Sequence, residues 1–255
     1  MIENGVERGN MKQLMVVLAA ALMTGSMAGC SAAPGDVPGD MVARYRMETM
    51  KTEIIVKTRP NGDFHAEVSG RPIALVGHGG KAFRLFRENG HWVGVPIDSL
   101  VAACESEAKR RTAFGYGPKP PGDGPYQASA AGTETVAGHA GAVWTFSDKN
   151  GGKARLVVSD DAKLAPVGAA LRQMLRLNSL CALDPFNTNL TRQMAPIEAK
   201  GTVLRSLYDK MPPGFFFTPL ELVSLDKTKA PDTDFTVPAK ILSDQEVRQK
   251  FAGTF

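Results

Sequence analysis

The sequence predicts an α+β fold built on an antiparallel sheet, and three observations predict it. Short β-rich runs separated by Gly, Asn and Pro turns crowd the first third of the mature chain. The hydrophobic period switches to helical spacing near residue 97 and again near residue 166. The resulting order of strands, helix, strands, helices and strand lacks the regular βα alternation that a parallel sheet needs.

The first element is an address. Lys12 precedes ten apolar residues, Leu14 to Met23, too few for a span of roughly 20 but suited to the apolar core of a secretory signal. Small residues Ser26, Ala28 and Gly29 follow, and Cys30 comes directly after them. Residues 1–29 are therefore expected to be a signal peptide. Translation is expected to begin at Met11, because Glu3 and Glu7 sit ahead of the signal where positive charge is usual. Residues 30–40, rich in Pro, Gly and Asp, read as a flexible tether, and 41–255 as one domain.

From Val42 to Pro96 the text reads as a meander. Runs at 42–50, 52–58, 63–69, 72–76, 81–86 and 92–95 alternate with turns such as Asn61-Gly62 and Asn89-Gly90. Asn-Gly is the strongest short hairpin signal, since a type I′ turn needs positive φ at both central positions. In Lys81–Phe86, Phe83 and Leu85 point to one face and Arg84 and Phe86 to the other. Ile97, Leu100, Val101, Cys104 and Ala108 then fall at helical spacing, which buries Cys104, with Asp98 as the expected cap. Four prolines and four glycines make 114–127 a loop.

A second β-group is expected at 132–137, 142–146 and 153–159. A helix over 166–181 turns Leu171, Met174, Leu175 and Cys181 inward. A further helical stretch is predicted from about Thr188 to Lys210, kinked or divided at Pro196 and Gly201. Closing strands are predicted at 220–225 and 235–237. Ser243 and Glu246 form a capping box that opens a final short helix.

The chain carries 30 Lys and Arg against 26 Asp and Glu, a formal charge of +4. These charges are scattered without an aromatic-interleaved basic stripe, so no nucleic-acid role is expected. A mild attraction to anionic head groups is the most the charge supports. Cys104 and Cys181 lie beyond the signal and are expected in an oxidising compartment, where two thiols more often pair than stay free. The bridge would close about 80 residues and contribute about 4 kcal/mol on the chain-entropy model. Two separate buried thiols are the alternative.

Met27-Ala28-Gly29-Cys30 resembles the lipobox of bacterial lipoproteins. That resemblance implies acylation of Cys30 and, with Ser31 rather than an aspartate after it, sorting to the periplasmic face of the outer membrane. A second resemblance rests on Val136, Gly138, Trp144, Val157, Asp160 and Asp161. They match a secreted bacterial family of unknown function related to the LolA/LolB lipoprotein carriers, although the cysteine usual after that glycine is absent here. The match is specific over about a sixth of the chain. It implies a strongly curved sheet, an incomplete LolA-like β-barrel packed on helices, enclosing an apolar cavity; no catalytic residue is carried over. The whole of 41–255 is then expected to be one half-barrel domain with C-terminal helices and closing strands.

The expected partner is a lipid, an acyl chain or a lipidated protein. Eleven methionines suit an adaptable pocket, and Met174 and Met194 are the candidates to line it, with ordinary core packing as the alternative. Phe215, Phe216 and Phe217 lie between prolines on a loop, so they cannot all face one interior. They are candidates for ligand or partner contact, against packing across a sheet edge. Ser106-x-x-Lys109 fits an acylating dyad, but the apolar spacing turns Ser106 to solvent and its companion motifs are missing. The four histidines show no metal-ligand spacing. The expectation is a binding lipoprotein without catalysis, cofactor or metal, and the alternative is an envelope interaction protein with no ligand cavity.

Overall fold

A computed structural model describes residues 39–113, 127–147, 152–180, 193–210 and 219–251. The meander is present as six strands: β1 (Met41–Met47), β2 (Thr52–Thr58), β3 (Phe64–Val68), β4 (Ala74–His78), β5 (Lys81–Glu88) and β6 (His91–Pro96). Each pairs antiparallel with the next. At the β5–β6 turn Asn89 and Gly90 have φ of 50° and 82°, as the Asn-Gly reading requires.

The alternation in these strands makes two cores. Ala43, Tyr45, Ile54, Val56, Ala66, Leu75, Val93 and Val95 face the helices in the main core. Ala74, Val76, Phe83 and Leu85 form a smaller cluster against Val237, on the outer face. Phe83 and Leu85 thus part from Phe86, whose ring meets Phe251 at 5.5 Å between centroids.

Helix α1 (Ile97–Ala113) follows without a break. Ile97, Leu100, Val101 and Cys104 are buried while Ser106 is exposed, as the spacing requires. Asp98 stands in its first turn and accepts from Arg176 at 3.1 Å. Next come β7 (Gln127–Val136), β8 (His139–Ser147) and β9 (Lys153–Ser159). The sequence motif at Val136 and Gly138 is the β7–β8 hairpin: Val136 faces His139, and Ala137 and Gly138 take φ of 48° and 83°. A Cβ at Gly138 would sit in that left-handed conformation, which explains the glycine.

Helix α2 (Ala165–Leu180) leaves β9 through the 3-10 turn Ala162–Leu164, whose first amides include one capped by Asp161 at 2.9 Å. The predicted long helix to Lys210 is corrected. Residues 193–198 are a helix (α3), and Thr202–Lys210 is a strand, β10. Leu204 and Tyr208 are four apart, a spacing that one face of a strand shares with one face of a helix. Gly201 marks the switch: a Cβ there would collide with the Ser159 carbonyl, so the chain can enter the ladder beside β9 only as glycine.

The end of the chain adds β11 (Leu220–Lys227), β12 (Lys240–Ile241) and α4 (Asp244–Phe251). The capping box forms: Ser243 N–H donates to Glu246 Oε2 at 2.7 Å, and Glu246 N–H to Ser243 Oγ at 3.3 Å. The expected strand at 235–237 is instead a 3-10 turn, Asp232–Phe235, running into extended chain. Phe235 is buried there under the Arg59 guanidinium, 4.0 Å from its ring centroid, and a residue wedged beneath the sheet's outer face is not free to pair.

Among the described residues, twelve strands form one open sheet in the order β12-β6-β5-β4-β3-β2-β1-β11-β10-β9-β8-β7. It is curved, unclosed and packed on helices, an α+β incomplete barrel. Only β12 breaks the antiparallel rule, lying parallel to β6. A short joint is β10–β11, where among the described residues the register holds Arg205 opposite Glu221 and Ser206 opposite Leu220. Tyr45 bridges it on the helix side, donating from a fully buried hydroxyl to the Val203 carbonyl at 3.0 Å. Arg205 ties it on the outer side, bonding both Glu134 and Glu221.

Candidate functional site

The helix-bearing face is where an apolar ligand was expected. Helix α2 lies on it because Val167, Ala170, Leu171 and Met174 recur at helical spacing and are all buried. Gly168 permits the close approach, since a Cβ there would strike Thr202 on β10. Thr202 Oγ1 in turn donates to the Leu164 carbonyl at 2.8 Å. Arg172 fastens the helix to the α3–β10 turn, donating to the Glu198 and Gly201 carbonyls at 3.2 and 2.8 Å.

Met174 and Met194 do meet in one core, as the sequence reading requires of pocket-lining residues, and Tyr208 Oη lies 3.8 Å from the Met194 sulfur. Each methionine is only 1% exposed. A side chain lining a preformed void large enough for water would keep accessible surface, so around these two residues the interior is closed.

Burial pushes the Glu198 carboxyl up to about 7, against the opposing pull of Arg172. The folded protein therefore holds a proton that the unfolded chain releases near 4.5, and stability falls as pH rises between those values. Glu198→Gln is expected to melt a few degrees above the parent beyond pH 7, with the gap closing below pH 4.5; thermal unfolding on both sides of the window checks this.

Cys104 is fully buried and takes part in a disulfide. Cys30, Cys181, Phe215, Phe216 and Phe217 lie outside the described residues. His78 is exposed in its turn, with Nδ1 2.9 Å from Asp63 Oδ2. Among the described residues no three metal-ligating side chains converge, and no helix is long and apolar enough to cross a membrane.

The outer face holds a feature the sequence reading missed, a cleft of about 610 Å³. Its floor is β3 to β6, with Ile73 and Leu85 as apolar walls; the far wall is the segment after β11, at Asp234 and Pro238. That segment is tied down at both ends. Asp40 accepts from the Ala230 amide at 3.1 Å, Lys57 Nζ bonds Asp234 at 2.8 Å, and the Leu242 amide donates to Gly94 at 2.9 Å. His65 and Glu67 reach the cleft because Phe64, Ala66 and Val68 take the other face of β3. That alternation is readable in the sequence, where the absence of metal-ligand spacing among the histidines draws attention away from the face His65 shares with Glu67.

Among the described residues, fold and surfaces define an α+β incomplete barrel with a core closed around Met174 and Met194 and a cleft on the opposite face of its sheet. No protein-family model matches the chain, and no curated protein matches it in sequence. Solved structures similar to it at low identity include the following three. An uncharacterized conserved protein from Thermus thermophilus is 9% identical over 81% of this chain and 91% of that one, with a TM-score of 0.38. MucB is 12% identical over 82% and 60%, with a TM-score of 0.35. The Mycobacterium tuberculosis lipoprotein LppX is 13% identical over 49% and 74%, with a TM-score of 0.25. The fold class rests on strand order and helix packing, not on these likenesses.

Proposed function

We propose that this is a non-enzymatic binding lipoprotein of the bacterial envelope, anchored through acylated Cys30 on the periplasmic face of the outer membrane. Its cargo is an apolar ligand, an acyl chain or a lipidated partner, received between the curved sheet and helices α2 and α3. The observation that carries the reading is the seam itself. An open sheet cannot bury its apolar face alone, and here it does so against helices α1 to α4, with Met174 of α2 and Met194 of α3 in the shared core. Thioethers repack at little cost, and an open sheet can widen without breaking a closed ring of hydrogen bonds. Because the core around Met174 and Met194 is closed in this structure, binding must part the helices from the sheet, and the ligand supplies the difference between the two conformations.

A fluorescent fatty acid is the first probe. The reading expects saturable emission enhancement that Met174→Lys abolishes; an unsaturable, mutation-insensitive signal counts against it. The closed seam also favours a second reading, an envelope interaction protein without an internal ligand, in which the probe never saturates. The pairing of Cys104 with Cys181 is part of the same proposal and is checked by non-reducing peptide mapping.

A further inference from the structure

The outer-face cleft stands apart from the proposed acyl seam, on the other side of the sheet. Trp92 lines it with 44% of its surface exposed. Its cross-strand partner Arg87 braces the ring from 4.9 Å. An open, oriented aromatic face at a cleft is a stacking platform. His65 is more than nine-tenths buried in the cleft wall, and its Nδ1 has no hydrogen-bond partner. A buried polar atom left unpaired costs stability and calls for an explanation; a hydroxyl bound in the cleft that His65 lines would supply the missing partner.

The charges choose among ligand classes. Glu67 and Asp234 line the cleft opposite Arg71, whose side chain makes no ion pair among the described residues. Behind them Lys57 holds Asp234 at 2.8 Å and lies 3.9 Å from Glu67. Two carboxylates repel an anion, Lys57 and Arg71 offset them against a cation, and the six polar and charged residues of the lining, His65, Glu67, Arg71, Thr233, Asp234 and Thr236, would stay unused by an acyl chain. Strands β3 to β6 already have both neighbours in the ladder, so no free edge is offered to a peptide strand.

What remains is a neutral molecule with hydroxyl groups and an apolar face. We infer that the cleft binds a neutral mono- or disaccharide unit, stacked on Trp92 and hydrogen-bonded by His65, Glu67, Arg71 and Asp234. A hydroxyl both donates and accepts, so it pairs with carboxylate, guanidinium and either tautomer of His65. The cleft volume of about 610 Å³ lies within the usual range for small-ligand sites.

The test is calorimetric titration of the full chain, in a detergent without a sugar head group, with cellobiose, maltose and N,N′-diacetylchitobiose. At least one is expected to bind saturably, and Trp92→Ala to weaken that binding about tenfold. Arg71→Ala is expected to weaken the same sugar. Both residues are exposed, so both variants should keep the parent melting temperature. Failure of all three sugars to bind at roughly 20 mM, or parent-like binding by Trp92→Ala, overturns the assignment. Fatty-acid uptake by Trp92→Ala is expected to be unchanged, which separates failure here from failure of the acyl reading.

Discussion

Tyr45→Ala is expected to destabilise the protein by about 3–5 kcal/mol, the range for emptying a large aromatic site in a core. Tyr45 has no accessible surface and stands on β1, two strands away from the Val203 carbonyl that its hydroxyl reaches. The intervening β10–β11 joint has a two-pair register among the described residues, so losing Tyr45 removes packing and an inner tie across a short ladder together. Tyr45→Phe isolates the second part. It keeps the ring, leaves the Val203 carbonyl without that donor, and should cost about 1–2 kcal/mol. Denaturant unfolding of both variants checks the pair. If Tyr45→Phe matched the parent, the hydroxyl would have no part in holding the joint.

Cys30→Ser is expected to move the protein from the membrane pellet to the soluble periplasmic fraction. In the proposed reading the anchor is a set of acyl chains on Cys30, each buried CH₂ contributing about 0.8 kcal/mol, and several chains together would make release negligible. Serine cannot form the thioether, so the whole of that affinity goes while the folded domain is untouched. Fractionation with metabolic palmitate labelling reads both losses. A variant that still pellets and still carries label would remove the anchor from the account.

Much of the first half of this fold was legible because its signals are local. Asn89-Gly90 named its turn, KAFRLF named its two faces, and Ile97 to Cys104 named a helix and its buried side. The failures share a cause. Val203 to Lys210 carries apolar residues four apart, which both periods satisfy, and what decides for strand is the ladder with β9 and the close contact of Gly201 with Ser159. Phe235 looked like strand because it is aromatic beside valine, yet its place is fixed by Arg59 from 176 residues earlier in the chain. The cleft was invisible for the same reason. His65, Trp92 and Asp234 become neighbours only through strand order and the path of the segment after β11. Met174 and Met194 were recognisable as inward-facing, but periodicity cannot distinguish a filled interior from a cavity.

The central claim is that the protein takes up an apolar molecule, and native mass spectrometry of the secreted Cys30→Ser chain tests it most directly. The chain is purified from the periplasm, weighed intact, and its organic extract is analysed before and after incubation with mixed phospholipids and fatty acids. The account predicts a stoichiometric added mass that extracts as lipid, either as purified or after incubation. A clean apo mass that stays unchanged with every lipid offered would contradict it.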